Sequence, residues 1–388
     1  MHIVLMAAYT NYRRDPRVKR EAEALVRAGY RVVFLASRQP GEPNREVING
    51  VEVIKIPSLN RKKTSALAYA ADYALFTVWL FLHVLWRPLR YRLIHIHNMP
   101  DFLVFAACLP RVLGRPVIHD VHDLMPEIYC EKFGLADSHW MIRLLMLQER
   151  WAGRFASAVL TVEERLRDIL SARGIPRDKI RVLMNLPDDM LFAPGVREER
   201  TEHFTLIYHG TLARRLGLDI GIRAVGVARE HVPGLKFKIL GAGEERARLM
   251  SLCEELGLTD CVSFSQGFVP VEEVVPIVRS ADVGVVPLRI SSGTDIMLPT
   301  KLLEYVSLGI PCIVPRTGTI TRYFDDRMVQ FFEAENFESL AEAIVDLYKN
   351  PAKRESLARE AHVRFGATHR WSEHKKVYTD LVEQLVNA

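Results

Sequence analysis

The feature that most constrains the fold of this chain is the repeated alternation of short apolar runs with stretches of helical periodicity. Ile3–Met6 is a short apolar run, typical of a parallel strand that is buried on both faces. Apolar residues between positions 18 and 26 recur at helical spacing, and Gly29 follows, where a helix commonly ends. Val32–Leu35 is the next apolar run. Together these segments predict a β-loop-α-β unit.

The same alternation continues along the chain, and the polar, proline-bearing stretch from 185 to 203 interrupts it. At 388 residues the chain is too long for one ordinary hydrophobic core. The sequence therefore predicts an α/β fold of two doubly wound parallel-sheet domains, 1–185 and 204–370, with a linker at 186–203. A final helix, 371–388, could dock on either domain, including back on the first. The further expected strands are Val51–Ile56, Leu93–Ile96, Val117–His119, Ala158–Thr161, Phe204–His209, Phe237–Leu240, Val262–Phe264, Val283–Val286, Cys312–Val314 and Val329–Phe332.

Positive charge is concentrated in the first part of the chain. Residues 1–92 hold 16 Lys and Arg against 7 Asp and Glu, whereas the whole chain carries a net charge of +5. A basic surface can bind anionic lipid, a phosphorylated acceptor or nucleic acid. No zinc-finger, RNA-recognition or basic-zipper pattern accompanies the charge, so we expect no nucleic-acid partner.

The cysteines carry no metal or redox signature. All five are scattered, without a Cys-x-x-Cys pair, which fits a reducing cytoplasm. The apolar run at the N-terminus is short and lacks a basic leader, so we interpret it as a strand rather than a signal peptide. We expect a cytoplasmic location, with peripheral attachment to the inner face of the cell membrane as an option.

Ligands of open α/β sheets bind beyond the carboxyl ends of the strands, and the segment YHGTLARRLGLD has the features of such a loop. Its strand ends at His209, and Gly210 permits close approach of the backbone. Arg215 precedes a helix, where arginine and the exposed helix amides can act on one diphosphate. A solvated loop with surface arginines is the alternative.

The segment ILGAGEERARL is a second strand-to-helix turn. Gly241 and Gly243 resemble half of a dinucleotide-binding fingerprint, but the third glycine is absent. A tight turn near a ligand and a purely structural turn both fit this pattern.

The segment LPTKLLEYVSLGIPCIVP predicts a capped helix directly after a strand-end loop. Pro299 suits the first position of a helix and Gly309 lies just past its end. Lys301 and Glu304 fall on the same face near the helix N-terminus. Lys301 and the helix amides would hold phosphate, while Glu304 could accept two ribose hydroxyls. The alternative is an exposed ion pair that contributes about 0–1 kcal/mol.

These segments, in this order, resemble the donor domain of glycosyltransferase family 4, the retaining enzymes with the GT-B fold. The first half resembles that family too, in RRDPRVKREAEALVRAGYRVVFLA, HIHNMPDFLVFAA and HDVHDLMPE. The resemblance implies two Rossmann-like domains that face a cleft, with the acceptor bound by the first and a nucleoside-diphosphate sugar by the second. The implied acceptor is a glycan, a glycolipid or a small molecule.

The resemblance also implies roles for individual residues. Glu304 matches the glutamate that holds the donor ribose, Lys301 a phosphate-side position and Arg215 the basic residue on the diphosphate. His122, with Asp123 beside it, resembles the first-domain histidine close to the transferred sugar. The predicted catalytic residues are thus His122, Asp123, Arg215 and Lys301. The predicted substrate-binding residues are His97, Gly210, Arg215, Gly241, Gly243, Asp295, Lys301, Leu303 and Glu304.

The sequence departs from the family pattern at two places. Most members have an earlier glutamate where this chain has Ile296, which cannot hydrogen-bond a sugar hydroxyl, and Asp295 is out of register. An apolar part of the sugar pocket, suited to a donor with fewer hydroxyls, is one consequence. The glycine-rich first loop of many relatives is replaced by Tyr9–Asp15.

We expect neither a cofactor nor a metal. No clear Asp-x-Asp motif occurs in the loops that would bind the donor. The close acidic pairs that do occur in the sequence are typical of surface turns. His95, His97, His119 and His122 invite a zinc hypothesis, but the sequence shows no matching cysteine or second ligand pair. Buried or hydrogen-bonded roles are expected for most of them, with His122 placed at the reaction.

A 21-residue apolar stretch, 66–86, has two interpretations. Asp72 and His83 interrupt it, which argues against a membrane span. It is flanked by basic residues, an arrangement suited to a helix at an anionic membrane surface with a lipid-linked acceptor. A helix buried under the first domain fits equally well. The flanking residues are Arg61, Lys62, Lys63, Arg87, Arg90 and Arg92.

Two other functions fit the same architecture. A nucleotide-sugar epimerase would need acid and base groups but no acceptor. A noncatalytic nucleotide-binding protein would bind the donor without turnover.

Overall fold

The computed structural model describes residues 1–57, 66–195 and 203–388, with the side chains of 66–70 left out. Within these ranges the chain forms two compact units, one of Met1–Asn185 with Glu373–Ala388 and one of Leu186–Ser372. The basic residues Arg61, Lys62 and Lys63 and the predicted linker positions 196–202 lie outside the described residues.

The first unit is a doubly wound sheet of eight strands in the order β3-β4-β2-β1-β5-β6-β7-β8. All its strand pairs are parallel except β3 with β4. Its strands are β1 (Ile3–Ala7), β2 (Arg31–Ser37), β3 (Arg45–Ile48), β4 (Val51–Ile56), β5 (Leu93–His97), β6 (Val117–Val121), β7 (Ala158–Thr161) and β8 (Ile180–Val182). Its helices are α1 (Pro16–Arg27), α2 (Ala66–Leu85), α3 (Cys108–Val112), α4 (Met125–Phe133), α5 (Trp140–Phe155) and α6 (Glu164–Ala172), to which most of α15 (Trp371–Asn387) is added.

Local sequence explains how the first β-α-β segment forms. The strands β1 and β5 are buried on both faces, as their apolar composition predicts. Asp15 caps α1 by accepting hydrogen bonds from backbone N–H groups, and Pro16 occupies the first helical position. Because β2 and β5 leave β1 in opposite directions, the sheet has a switch point at the carboxyl ends of β1 and β5.

The second unit contains a six-stranded, fully parallel sheet in the order β11-β10-β9-β12-β13-β14. Its switch point lies between β9 and β12. Its strands are β9 (Thr205–His209), β10 (Lys236–Leu240), β11 (Val262–Phe264), β12 (Val283–Val285), β13 (Cys312–Pro315) and β14 (Gln330–Phe332). Its helices are α7 (Leu218–Ala228), α8 (Arg246–Glu255), α9 (Val271–Ser280), α10 (Ser292–Asp295), α11 (Thr300–Leu308), α12 (Ile320–Tyr323), α13 (Phe337–Lys349) and α14 (Pro351–Ala361).

The two parallel sheets confirm the predicted α/β class. Every expected strand is present, with ends that differ by up to two residues. The sequence missed β3, an exposed antiparallel edge strand, and β8, which has only three residues.

The apolar stretch 66–86 forms α2, which packs one face into the first core through Phe76, Leu80 and Val84. Its interrupting polar residues have local partners. The Tyr9 hydroxyl donates to Asp72 Oδ2 at 3.0 Å, and His83 Nε2 lies 2.6 Å from the Tyr91 hydroxyl. Among the described residues, no helix has the length and apolar character required to cross a membrane.

Candidate functional site

The helix α11 follows the loop after β12, as its sequence predicts, and the structure places its start at the switch point of the second sheet. Pro299 directly precedes the helix as its capping residue, whereas the sequence predicted it as the first helical residue. Gly309 ends the helix with φ 72°, in the left-handed region that glycine tolerates best.

Two cations lie at this switch point. Lys301 is 9% exposed, and its Nζ lies 4.8 Å from the centroid of the Tyr208 ring on β9. Arg215 is half-buried in the loop after β9, close enough for its charge to affect Lys301. Burial lowers the pKa of Lys301 to about 8, an effect that Glu304 opposes and Arg215 increases. Among the described residues, neither side chain forms an ion pair with a carboxylate.

Glu304 is held by a residue that sequence reasoning did not select. His209, the last residue of β9, places Nε2 2.5 Å from Glu304 Oε2 and Nδ1 3.1 Å from the Tyr305 hydroxyl. That hydroxyl donates to the Ile207 carbonyl at 3.2 Å. These hydrogen bonds connect β9 with α11, and they fix the Glu304 carboxylate at the carboxyl end of β9. The position of His209, directly before Gly210 at a strand end, is the signal that could have identified it.

The glycines of the first two loops let their backbones meet. Leu212 N–H donates to the Ala242 carbonyl at 2.9 Å, which continues the pairing beyond β9 and β10. A Cβ on Gly241 would lie 1.8 Å from the Gly210 carbonyl oxygen, and one on Gly243 would lie 2.2 Å from the Leu212 oxygen. Gly241 and Gly243 thus have a structural reason to be glycine. Their contact with a substrate stays a prediction.

Three further positions from the sequence analysis, Asp295, Ile296 and Leu303, also lie in the second unit. Asp295 Oδ1 accepts a hydrogen bond from Gly318 N–H at 2.6 Å, which ties the loop after β13 to α10. The Ile296 and Leu303 side chains are 9% and 2% exposed. Burial disfavours direct contact of Leu303 with a donor, and the apolar sugar pocket at Ile296 stays a prediction.

In the first unit, His122 lies in the loop after β6 and is partly exposed. Its Nδ1 is 3.2 Å from Asp120 Oδ1. Asn98 fixes this loop, because its Oδ1 accepts from His122 N–H at 3.1 Å and its Nδ2 donates to the Asp123 carbonyl at 2.6 Å. The Asp123 side chain is exposed. The sequence analysis did not select Asn98, although it lies two residues after the end of the predicted strand Leu93–Ile96.

Behind His122 lies a buried polar cluster. His97 is fully buried, with its ring centroid 5.5 Å from that of His122, so its burial disfavours the predicted contact with a substrate. His95 and His97 share a face of β5 with Asp120 of β6, and Glu21 of α1 lies over them. His119 is on the other face of β6, where its Nε2 is 3.3 Å from Asp101 Oδ1.

Burial controls the charges of this cluster. Burial, together with the neighbouring His97, lowers the pKa of His95 to about 4, and burial also lowers the pKa of His97. Burial and the charge of Asp120 raise the pKa of Glu21 well above its usual range. Burial also acts to raise the pKa of Asp120. The charge of His122 and the contacts with the imidazoles of His122, His95 and His97 outweigh burial, and they hold the pKa of Asp120 well below its usual range.

The structure brings together four of the predicted residues of the second unit, namely Gly210, Arg215, Lys301 and Glu304. A basic pair and an oriented carboxylate at a switch point can bind an anion and a hydroxyl-bearing group at once. In the first unit it brings His97 and His122 together around Asp120.

Two family models match the chain. The glycosyl transferase 4-like domain matches residues 15–185, and the glycosyl transferases group 1 domain matches residues 192–364. WcaL of Escherichia coli is 29% identical over 171 residues, which is 44% of this chain and only 38% of that protein's length. A chitobiosyldiphosphodolichol beta-mannosyltransferase of Candida albicans is 22% identical over 92% of this chain and 83% of that protein.

Solved structures of similar fold cover nearly the whole chain. Sucrose-phosphate synthase from Thermosynechococcus elongatus has a TM-score of 0.81 at 18% identity and covers 99% of both chains. HepE from Anabaena, solved in complex with UDP-glucose, has a TM-score of 0.72 at 14% identity and covers 99% of this chain and 100% of that one. With two matching domain models in this order and GT-B glycosyltransferases as structural neighbours, the chain belongs to the group 1 glycosyltransferases of the family 4 type and has the GT-B fold.

Proposed function

We propose that the second unit binds a nucleoside-diphosphate sugar at its switch point, and that the enzyme transfers the sugar with retention of anomeric configuration. The observation that carries this proposal is the pair of cations, Lys301 and Arg215, which lack carboxylate partners among the described residues. A buried ammonium without a counter-ion is costly, whereas a diphosphate would neutralise both cations. The UDP-glucose complex of HepE supports a donor of this class.

The negative charge that develops on the leaving group determines which residues would assist the transfer. When the bond between the sugar carbon and the diphosphate oxygen breaks, negative charge develops on the leaving nucleoside diphosphate. Lys301, Arg215 and the first amides of α11 are positioned to stabilise it, and fixed groups of this kind usually supply the largest catalytic contribution. They supply positive charge at the position where a divalent metal would otherwise act, so we propose metal-independent transfer.

The other predicted residues complete the proposal. Glu304, oriented by His209, would accept the ribose hydroxyls, and His122 would contact the transferred sugar. The acceptor hydroxyl oxygen forms the new bond to the sugar carbon as the bond to the diphosphate oxygen breaks, and the hydroxyl proton passes to the leaving diphosphate. Nuclear magnetic resonance of the product's anomeric centre tests retention, and an inverted product would exclude it.

We further propose a lipid-linked acceptor and a peripheral position at the inner face of the cell membrane. The outward face of α2 supports this proposal, because Val78, Trp79 and Leu82 are exposed there beside the exposed Trp86. Arg87 and Arg90 follow directly. The dolichol-linked substrate in the name of the Candida relative is of the same chemical class.

Titration of free nucleoside diphosphates tests the donor site. We expect Lys301→Ala and Arg215→Ala each to weaken binding by about 10- to 100-fold, since a hydrogen bond to a charged group contributes about 1.5–3 kcal/mol. Glu304→Gln should weaken binding of the nucleoside moiety. Arg214→Ala is the matched control, because Arg214 is adjacent and exposed. Wild-type affinity in the Lys301 and Arg215 variants would exclude this site.

A screen of nucleotide sugars with candidate acceptors, followed by mass spectrometry, tests transfer itself. We expect a glycosylated product and a free nucleoside diphosphate in equal amounts. Epimerised donor without any acceptor product would favour an epimerase instead.

A further inference from the structure

We propose that Glu21, His95, His97 and Asp120 form a binding site for one divalent transition-metal ion, with zinc as the ion that best fits these ligands. The four side chains come from α1, β5 and β6. One ligand atom from each can be chosen so that all four lie within 4.8 Å of one another. The site lies at the switch point of the first sheet, and the proposed donor residues belong to the second unit.

The contacts within the cluster converge but do not form hydrogen bonds. His95 Nε2 is 3.4 Å from Asp120 Oδ2 and 4.0 Å from Glu21 Oε2. His97 Nδ1 is 3.2 Å from the same Asp120 oxygen, and His97 Nε2 is 3.8 Å from the same Glu21 oxygen. All five atoms are buried, and none makes a hydrogen bond to another described residue. Buried polar atoms are nearly always satisfied, so their convergence indicates a shared ligand.

The ligand chemistry fits a closed zinc site. Two imidazoles and two carboxylates are ordinary zinc ligands, and structural zinc is bound by four protein groups in a tetrahedron. Ligand distances of about 2.0–2.2 Å place the donor atoms of a tetrahedron roughly 3.3–3.6 Å apart. Only one nitrogen of His97 can bind the ion, and with one atom from each residue the four donors lie within 4.8 Å of one another, so the side chains would move closer together on binding. Two carboxylates and one divalent cation are also neutral together, which removes the cost of burying two negative charges.

Neighbouring residues support the same assignment. The Tyr378 hydroxyl of α15 lies 2.7 Å from His95 Nδ1, and it is also positioned to donate to the Met6 sulfur at 3.9 Å. If that hydroxyl donates to sulfur, it accepts from Nδ1–H, which leaves the Nε2 lone pair of His95 directed into the cluster. Outer partners that fix the tautomer of a histidine are typical of metal sites.

Asp120 connects this site to the functional loop. Its Oδ2 belongs to the cluster, while its Oδ1 is 3.2 Å from His122 Nδ1. A metal ion that held Asp120 would therefore fix the position of His122. This consequence depends on the proposed role of His122, whereas the metal site itself does not.

Metal analysis by mass spectrometry on protein without an affinity tag is the direct test. We expect about one zinc ion per chain in wild-type protein, after purification or after exposure to Zn²⁺ and gel filtration. Glu21→Gln and His97→Asn should lose it. His119→Asn should keep it, because His119 is a buried histidine on the other face of β6. Substitution with Co²⁺ should give the intense visible absorption of a tetrahedral ion.

Wild-type protein also provides a test that does not depend on variants folding. Removal of the ion with a strong chelator should lower Tm, and Zn²⁺ should restore it. Nucleoside diphosphate affinity should not change, because the donor residues belong to the other unit. Metal-free wild-type protein after exposure to Zn²⁺, an unchanged Tm, or equal metal content in Glu21→Gln, His97→Asn and wild type would each overturn the proposal.

Discussion

Lys301 shows at the scale of one residue how a fold prepares a side chain for a ligand. A lysine is seldom buried without a carboxylate, because removing its charge from water is costly. Here the ammonium faces the Tyr208 ring and lies near a second cation, Arg215. A diphosphate bound between the two cations would neutralise their charges. The residues that destabilise the free protein should therefore stabilise the complex with the donor.

The lowered pKa of Lys301 makes donor binding dependent on pH. The free protein loses the Lys301 proton near pH 8 rather than near 10.5, and only the protonated amine attracts a diphosphate. We expect the Kd of a nucleoside diphosphate to change little near pH 7, to be about twice as high at pH 8, where half of Lys301 is deprotonated, and to rise further above that pH, as calorimetry would show. In Lys301→Arg the guanidinium stays protonated, so the rise should disappear. An equal rise in both proteins would contradict this prediction.

His122 is predicted to act on the reaction more than on donor binding. Its loop is fixed by Asn98 and its ring by Asp120, so the side chain is held in place before any substrate arrives. We expect His122→Ala to lower kcat by roughly 10²–10³-fold, the range observed when one fixed polar group is removed from a site of developing charge. Donor affinity should change little. His2→Ala, at an exposed histidine, is the control, and unchanged kcat in His122→Ala would remove this residue from the reaction.

At the scale of elements, the donor site depends on two loops that lie in direct backbone contact. The pairing of β9 with β10 continues through Gly210 N–H to the Leu240 carbonyl at 2.8 Å and through Leu212 to Ala242. This places the loop that carries Arg215 beside the turn that leads from β10 into α8. The glycines matter because they have no Cβ at the point of contact.

Gly241→Ala should destabilise the protein and weaken donor binding together. The new Cβ would meet the Gly210 carbonyl oxygen, and φ is 146°, which side chains rarely adopt. We expect a loss of about 1–3 kcal/mol in the free energy of unfolding, measured with denaturant. Gly226→Ala in α7 is the control, since its Cβ would make only ordinary contact with Leu258, and alanine should stabilise the helix by about 0.5–1 kcal/mol. Equal effects of the two substitutions would contradict the prediction.

The sequence predicted most strands because each central strand is a local apolar run, and it predicted α11 because Pro299 and Gly309 mark its two ends locally. It missed β3, whose four residues are two charged ones, Arg45 and Glu46, followed by two apolar ones on an exposed edge, so they form neither an apolar run nor an alternating pattern. The donor residues could be found because their segments are short and ordered along the chain. The buried cluster could not, since Glu21 lies more than 70 positions before His95 in the sequence and only the packing of α1 on the sheet brings them together.

At the scale of the whole chain, apolar side chains are exposed on two helices of the first unit. Both α2 and α5 pack against the 3₁₀ segment Asp101–Ala107, so they cover the same face of the sheet. On α5 the exposed residues are spaced by three or four positions and form one stripe, namely Trp140, Leu144, Leu147 and Trp151. Arginines accompany both helices. This combination suits the surface of an anionic membrane.

Cosedimentation with vesicles that contain phosphatidylserine tests this surface. We expect wild-type protein to bind at low salt and to bind less at high salt, because screening weakens attraction between the basic residues and the lipid. Replacing Trp79 and Trp86 with Ser should weaken binding at least about tenfold, a change of about 1.4 kcal/mol, since tryptophan anchors are lost. The same replacement at Trp140 and Trp151 tests whether α5 joins the contact. Met190→Ser, at an exposed residue of the second unit, is the control. No binding at low salt, or equal binding of wild type and the α2 variant, would refute attachment through α2 and favour a soluble acceptor.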